Sequence, residues 1–283
     1  MHDAASTLSL PVTLSVLAAA LSYALLWRRP FPAMPRLTSR WRLASFLLGL
    51  LALWTALGSP LSGMDHHRLG FHMLQHLLLM NASAPLLLLG EPVAVFARGL
   101  PRGGLVWLER REPSAFGRLL THPAVAWLLA AAVVVGWHVP RVLELTLASP
   151  GWHTLQHASF LLAGLLFWWP VVLPWPAVPV WPAWALPLYL FLATLPCDVL
   201  SAFLAFSGRV VYPHYATQQG DVSALADQAA AMERDAVRAV KAVLVQRGDF
   251  GAASPIKPQG SVTLSRHRSP LAHLSGRRFM AAV

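Results

Sequence analysis

Apolar runs separated by short polar clusters recur along the chain, at Leu8–Trp27, Leu43–Gly58, Phe71–Gly90, Ala124–Val139, Leu155–Leu173 and Ala183–Phe206. A helix needs roughly 20 mostly apolar residues to cross about 30 Å of hydrocarbon, and these runs approach or reach that length. Backbone groups in lipid must bond within their own segment, and the period-two alternation of barrel strands is absent. The pattern predicts an all-α fold, a polytopic transmembrane helical bundle of about six spans. Residues 1–207 form its membrane domain. From Arg209 onward the pattern changes. Residues 208–250 read as a polar, amphipathic extension with a helix over 221–248, and 251–283 as a basic tail with no durable apolar face, expected to lack order.

Charge orients the bundle. Arg28, Arg29, Arg36, Arg40 and Arg42 follow the first run, and Arg98, Arg102, Arg110, Arg111 and Arg118 follow the third, whereas only Arg68 and Arg141 follow the second and fourth. Basic loops stay in the cytoplasm, so the N-terminus is expected outside, with His66 and Arg141. No basic residue precedes the first run, which reads as a retained span rather than a cleaved leader. The chain carries a formal charge of +10 although only 12% of its residues are charged and 56% are hydrophobic. In a soluble protein that charge would suggest nucleic acid. Here basic loops and tail account for it, and lipid rather than nucleic acid is the expected partner. Trp137, Trp152, Trp168, Trp169, Trp175, Trp181 and Trp184 read as an interfacial aromatic belt.

Composition then narrows the chemistry. The single cysteine, Cys197, excludes an internal disulfide and any CxxC site. Histidine is the remaining candidate. His72-Met73-Leu74-Gln75-His76 opens the third run and His153-Thr154-Leu155-Gln156-His157 the fifth, a shared H-x-L-Q-H at the same expected membrane level. Helical residues four apart share a face, so each motif presents two imidazoles to one point. Met73 and Met80 add thioethers, and that mixture suits copper, particularly Cu(I). With His66, His67, His138 and His214, eight of the twelve histidines fall at the outer face. Asp198 is the one acid inside a run, and a carboxylate there can orient an imidazole through its second nitrogen. Any single histidine near a helix end serves as readily to bond a carbonyl or headgroup, and the methionines serve as readily to fill gaps in packing. The candidate ligands are therefore His72, His76, His153 and His157, with His138, Met73, Met80, Asp198, His66 and His67 as additional or supporting groups.

These residues carry a resemblance. His72 to Leu79 leading into Ala84-Pro85-Leu86 and Leu89-Gly90-Glu91-Pro92, then Trp137-His138-Val139-Pro140, then His153 to His157 running into Phe160 through Pro170, are similar to segments of the CtaG-like family of bacterial cytochrome c oxidase assembly factors. The resemblance covers most of Pro60 to Tyr215. It implies a non-enzymatic plasma-membrane protein that matures a haem-copper oxidase, partnered with oxidase subunits and handling copper at the outer face through the two histidine pairs. The chain departs from the family pattern after Ala226-Asp227-Gln228, where a seventh apolar span is expected and Met232 to Arg238 is charged instead. Two rival readings are a b-type haem protein with His76 and His157 as axial ligands, and a metal or small-solute permease.

Overall fold

The computed structural model describes residues 8–29, 39–101, 104, 114–174, 182, 184–220 and 223–228. Arg36, Arg102, Arg110 and Arg111 of the basic loops, Trp175 and Trp181 of the expected belt, and everything from residue 229 on, the basic tail included, lie outside the described residues. Among the described residues all regular structure is helical. The spanning helices are α1 (Leu10–Trp27), α2 (Arg40–Leu57), a third span made of α3 (Leu69–Leu77), a π-helical stretch (Leu78–Ser83) and α4 (Ala84–Leu89), then α7 (Pro123–Trp137), α9 (Pro150–Val172) and α10 (Ala185–Phe206). Short helices α5 (Pro92–Ala97), α6 (Ala115–Leu120), α8 (Pro140–Ala148) and α11 (Pro213–Gln219) connect them or follow the last span.

Among the described residues five helices are long and apolar enough to cross a membrane by themselves, and α7 with α8 supplies a sixth only as a pair bent by 73°. The fourth span is thus shorter than its apolar run. Pro140 causes the break: it disfavours helix at the preceding residue, and Val139 is extended at φ −61° and ψ 124°.

Lipid-facing stripes are plain in the exposure. Leu10, Leu14, Leu17, Leu21 and Leu25 project from α1, and Leu188, Phe191, Leu195, Val199 and Phe203 from α10, at helical three- and four-residue steps. Inside, small residues let backbones close in. A Cβ on Gly49 would meet the Leu87 backbone nitrogen at 2.8 Å, and one on Gly164 would meet the Met80 backbone at 2.9 Å. The third span and α9 are therefore in intimate contact, and they carry the two histidine motifs at the same end.

The opposite end belongs to arginine. Arg98 donates to the Trp27 and Arg29 carbonyls at 3.0 and 3.2 Å, closing the C-terminus of α1, and Arg42 pairs with Glu91 at 2.5 Å. Trp168 does not sit in a belt. It is 2% exposed and donates its indole N–H to the Met80 carbonyl at 3.0 Å.

Residues 208–228 return to the histidine end. Tyr212, Tyr215 and Ala224 pack with Leu69, Met73, Leu143 and Leu204, so this part of the expected polar extension has a core of its own making with the spans. Residues 223–228 are helical; the rest of the helix expected over 221–248 falls outside the described residues.

Candidate metal centre

Each H-x-L-Q-H turn stacks its two histidines on one helix face, with ring centroids 4.4 Å apart for His72 and His76 and 4.3 Å for His153 and His157. The close packing of the third span on α9 sets these faces together. His72 lies 5.8 Å from His153 and His76 lies 5.7 Å from His157. The row extends in both directions: His66 is 5.2 Å from His153, His214 is 6.5 Å from His66, and His138 is 6.3 Å from His76. His67 does not join. It is exposed, and its carbonyl accepts from Gln219 at 2.6 Å.

These rings are deep. His72 is 0% exposed, His76 5%, His138 7% and His157 8%. Nitrogen atoms so buried are normally hydrogen-bonded, yet His72 Nδ1, both nitrogens of His76 and His157 Nε2 have no such partner among the described residues. The glutamine of each motif is buried too. Gln75 donates to the Ala56 carbonyl at 3.2 Å, and the Gln156 amide stands 3.4 Å from His72 Nε2.

The carboxylate at the cluster is Asp65, which the sequence reading passes over. It is fully buried, its Oδ1 accepts from the His66 backbone N–H at 2.8 Å, and its Oδ2 lies 3.0 Å from His153 Nε2. That last approach lacks the alignment of a hydrogen bond, since both atoms remain without a bonded partner. Two atoms bound to one ion at about 2.0–2.2 Å stand roughly 2.9–3.5 Å apart, so the spacing is that of two ligands facing a common point. Asp65, His153 and His157 each offer a ligand atom, all within 4.8 Å of one another. Ligands of one ion are at most about 4.2 Å apart, so this set needs to draw in by less than an ångström. The donors fit a divalent transition ion: two imidazoles, one negative charge to offset the ion, and further histidines alongside. Burial lowers the His66 pKa, partly opposed by the Asp65 carboxylate, so the ring stays neutral and available.

Asp198, by contrast, is exposed and makes no hydrogen bond or ion pair with an imidazole among the described residues. On α10 the inward face is Leu190, Ala193, Thr194, Cys197, Leu200 and Ser201, and residue 198 falls off it by helical geometry. Among the described residues the structure thus brings Asp65, and not Asp198, to the histidine cluster. Its sequence signal was adjacency, Asp65-His66-His67 just before the third span; it lies outside the apolar runs, where an acid attracts no notice. Met73 and Met80 both reach a cavity of about 130 Å³ that opens beneath His76 and His138.

The turn bearing Asp65 is held from α11. Tyr215 donates its hydroxyl to the Asp65 carbonyl at 3.0 Å and His214 Nε2 lies 3.1 Å from the His66 carbonyl. Tyr212 donates to the His138 carbonyl at 3.0 Å.

Compared with known proteins, the chain matches the family model of the cytochrome c oxidase caa3 assembly factor (Caa3_CtaG) over residues 20–232. It is similar to uncharacterised proteins of Mycobacterium bovis and Mycobacterium tuberculosis, 29% identical over 152 residues, covering 50% of this chain and 23% of each relative. A Mycobacterium leprae protein is 29% identical over 143 residues, covering 46% of this chain and 21% of the relative. The chain thus matches less than a quarter of the length of these relatives. No solved structure matches it.

Proposed function

Because the chain belongs to the cytochrome c oxidase caa3 assembly factor family, we propose that it serves oxidase maturation by receiving copper, its cargo, at the outer face of the plasma membrane through the histidine cluster. The observation that carries this reading is the block of four imidazoles from two spans in which His72 Nδ1, both nitrogens of His76, His153 Nε2 and His157 Nε2 are buried with no hydrogen-bond partner among the described residues. Such atoms are costly to desolvate unless something else bonds them, and a borderline-soft cation is what imidazole bonds best. The role is to bind and present the ion, so no bond-making catalysis is assigned to the chain.

The outward orientation rests on the loop arginines, with Arg42 and Arg98 at the end opposite the histidines. Haem ligation by His76 and His157 is less well supported: His76 stacks on Phe160 at 4.0 Å and stands edge-on to His72, so its ring is packed against protein on two sides. A permease would want polar groups in a ladder through the bilayer, whereas the histidines gather at one end.

The test replaces His72 and His76 together with Ala. Apolar burial of the spans holds the fold, so the variant should remain abundant in the membrane while assembled oxidase activity falls, and added copper should restore it in part. Full oxidase activity with a normal level of the variant would end the metal-handling reading.

A further inference from the structure

His138 sits where α7 ends, and its Nδ1 lies 2.6 Å from the Val134 carbonyl, one helical turn back. A carbonyl only accepts, so Nδ1 carries the proton and Nε2 presents a lone pair. That lone pair faces the Met73 thioether sulfur, 3.2 Å away. Sulfur here has no proton to give either. Two buried lone-pair donors, Met73 at 6% exposure and His138 at 7%, are thus held towards each other with no hydrogen between them. Repulsive alone, that arrangement is the edge of a coordination sphere: one ion with nitrogen at about 2.0 Å and sulfur at about 2.3 Å places the two donors roughly 3.1–3.5 Å apart. His76, with both nitrogens buried and without a hydrogen-bond partner among the described residues, is the next ring in the row.

We propose that Met73, His138 and His76 form a second metal site, distinct from the Asp65–His153–His157 set, that takes a soft monovalent d10 cation such as Cu(I) or Ag(I). The inference rests on the metal-handling reading above and shares His76 with its four-imidazole block, but Met73 and His138 lie outside that block. Charge separates the two stations. The first has the Asp65 carboxylate to offset a divalent ion. The second has only neutral donors, and the cost of bringing an ion into an apolar surround grows with the square of its charge, so that cost is about four times smaller for a monovalent ion than for a divalent one of similar size. The thioether adds preference for the softer ion. All three residues also line the cavity of about 130 Å³ beneath the cluster, with Met80 and Cys197 farther along its wall.

The test uses the purified full chain in detergent, with Ag(I) as the soft probe and Co(II) as the divalent one. Met73→Leu keeps volume and removes the sulfur. Ag(I) affinity should fall at least tenfold, the scale on which even outer partners of a ligand count, while Co(II) affinity stays within twofold. X-ray absorption at the silver edge should show a sulfur neighbour in the parent chain that disappears in the variant. His138→Gln should act like Met73→Leu. Ag(I) affinity unchanged in both variants, or a silver spectrum without sulfur, overturns the second site. Co(II) binding absent while Ag(I) binding depends on Met73 sinks the Asp65 station and leaves this one standing.

Discussion

Asp65 and His138 owe their roles to what their neighbours leave them. The Asp65 side chain is pinned on one oxygen by the His66 N–H, so only Oδ2 is free to face His153. The Val134 carbonyl likewise fixes the His138 tautomer by accepting a hydrogen bond from Nδ1, which keeps its proton. Asp65→Asn keeps the shape and the His66 contact but removes the negative charge. Divalent affinity, read by Co(II) titration of the purified chain, is expected to drop tenfold or more, with Ag(I) affinity nearly unaltered. Equal Co(II) affinity in the variant and the parent would take Asp65 out of the ligand set.

At the scale of elements, the junction of the third span with α9 decides whether the motifs meet. Ala84 donates its backbone N–H to the Leu79 carbonyl, five residues back, so the register in this stretch is that of a π-helix. The next carbonyl in that register, Met80, would need the N–H of residue 85, and Pro85 has none. Trp168 of α9 supplies the missing donor, and Gly164, one turn earlier on the same face, lets the two backbones approach. One proline in the third span is thus answered by two residues of another. Gly164→Val places methyl groups against the Met80 backbone and must push the helices apart. A loss of about 1–3 kcal/mol is expected, seen as a lower thermal midpoint in detergent, together with weakened binding of both probe ions. A variant with unchanged midpoint would show that this contact does not set the spacing of the histidine pairs.

For the whole molecule, the arginine end and the histidine end define an axis, and the proposed role requires the histidine end to face outward. With Cys197 replaced by Ala, a cysteine at position 67, exposed at the histidine end, should react with an impermeant thiol reagent in intact cells. One at position 115, exposed at the other end, should react only after permeabilisation. The reverse labelling would invert the topology and remove the outer-face reading. The segment after the last span matters at this scale as well, since Tyr212 and Tyr215 brace the carbonyls of His138 and Asp65, one for each station.

Much of this was legible in order along the chain. Apolar runs of span length fit lipid, so the all-helical class and a bundle of about six spans, five to six in the structure, could be read from hydropathy, and a four-residue histidine interval puts two rings on one helical face wherever the helix sits. Other features depended on contacts between residues far apart in sequence. Local pattern made Asp198 look like the supporting carboxylate because it is an acid in an apolar run; rotation of α10 turned it outward, and Asp65, unremarkable in a turn, was carried into the cluster by hydrogen bonds from residues 148 to 150 positions away. Trp168 matched an interfacial residue by type and was buried because a proline on another helix left a carbonyl without a donor. The sequence by itself settled what periodicity and solvation settle, the spans and the paired rings; which donors face one another, and which ring nitrogen carries the proton, was decided by packing, because neither helix rotation nor tautomer is written in any local stretch of residues.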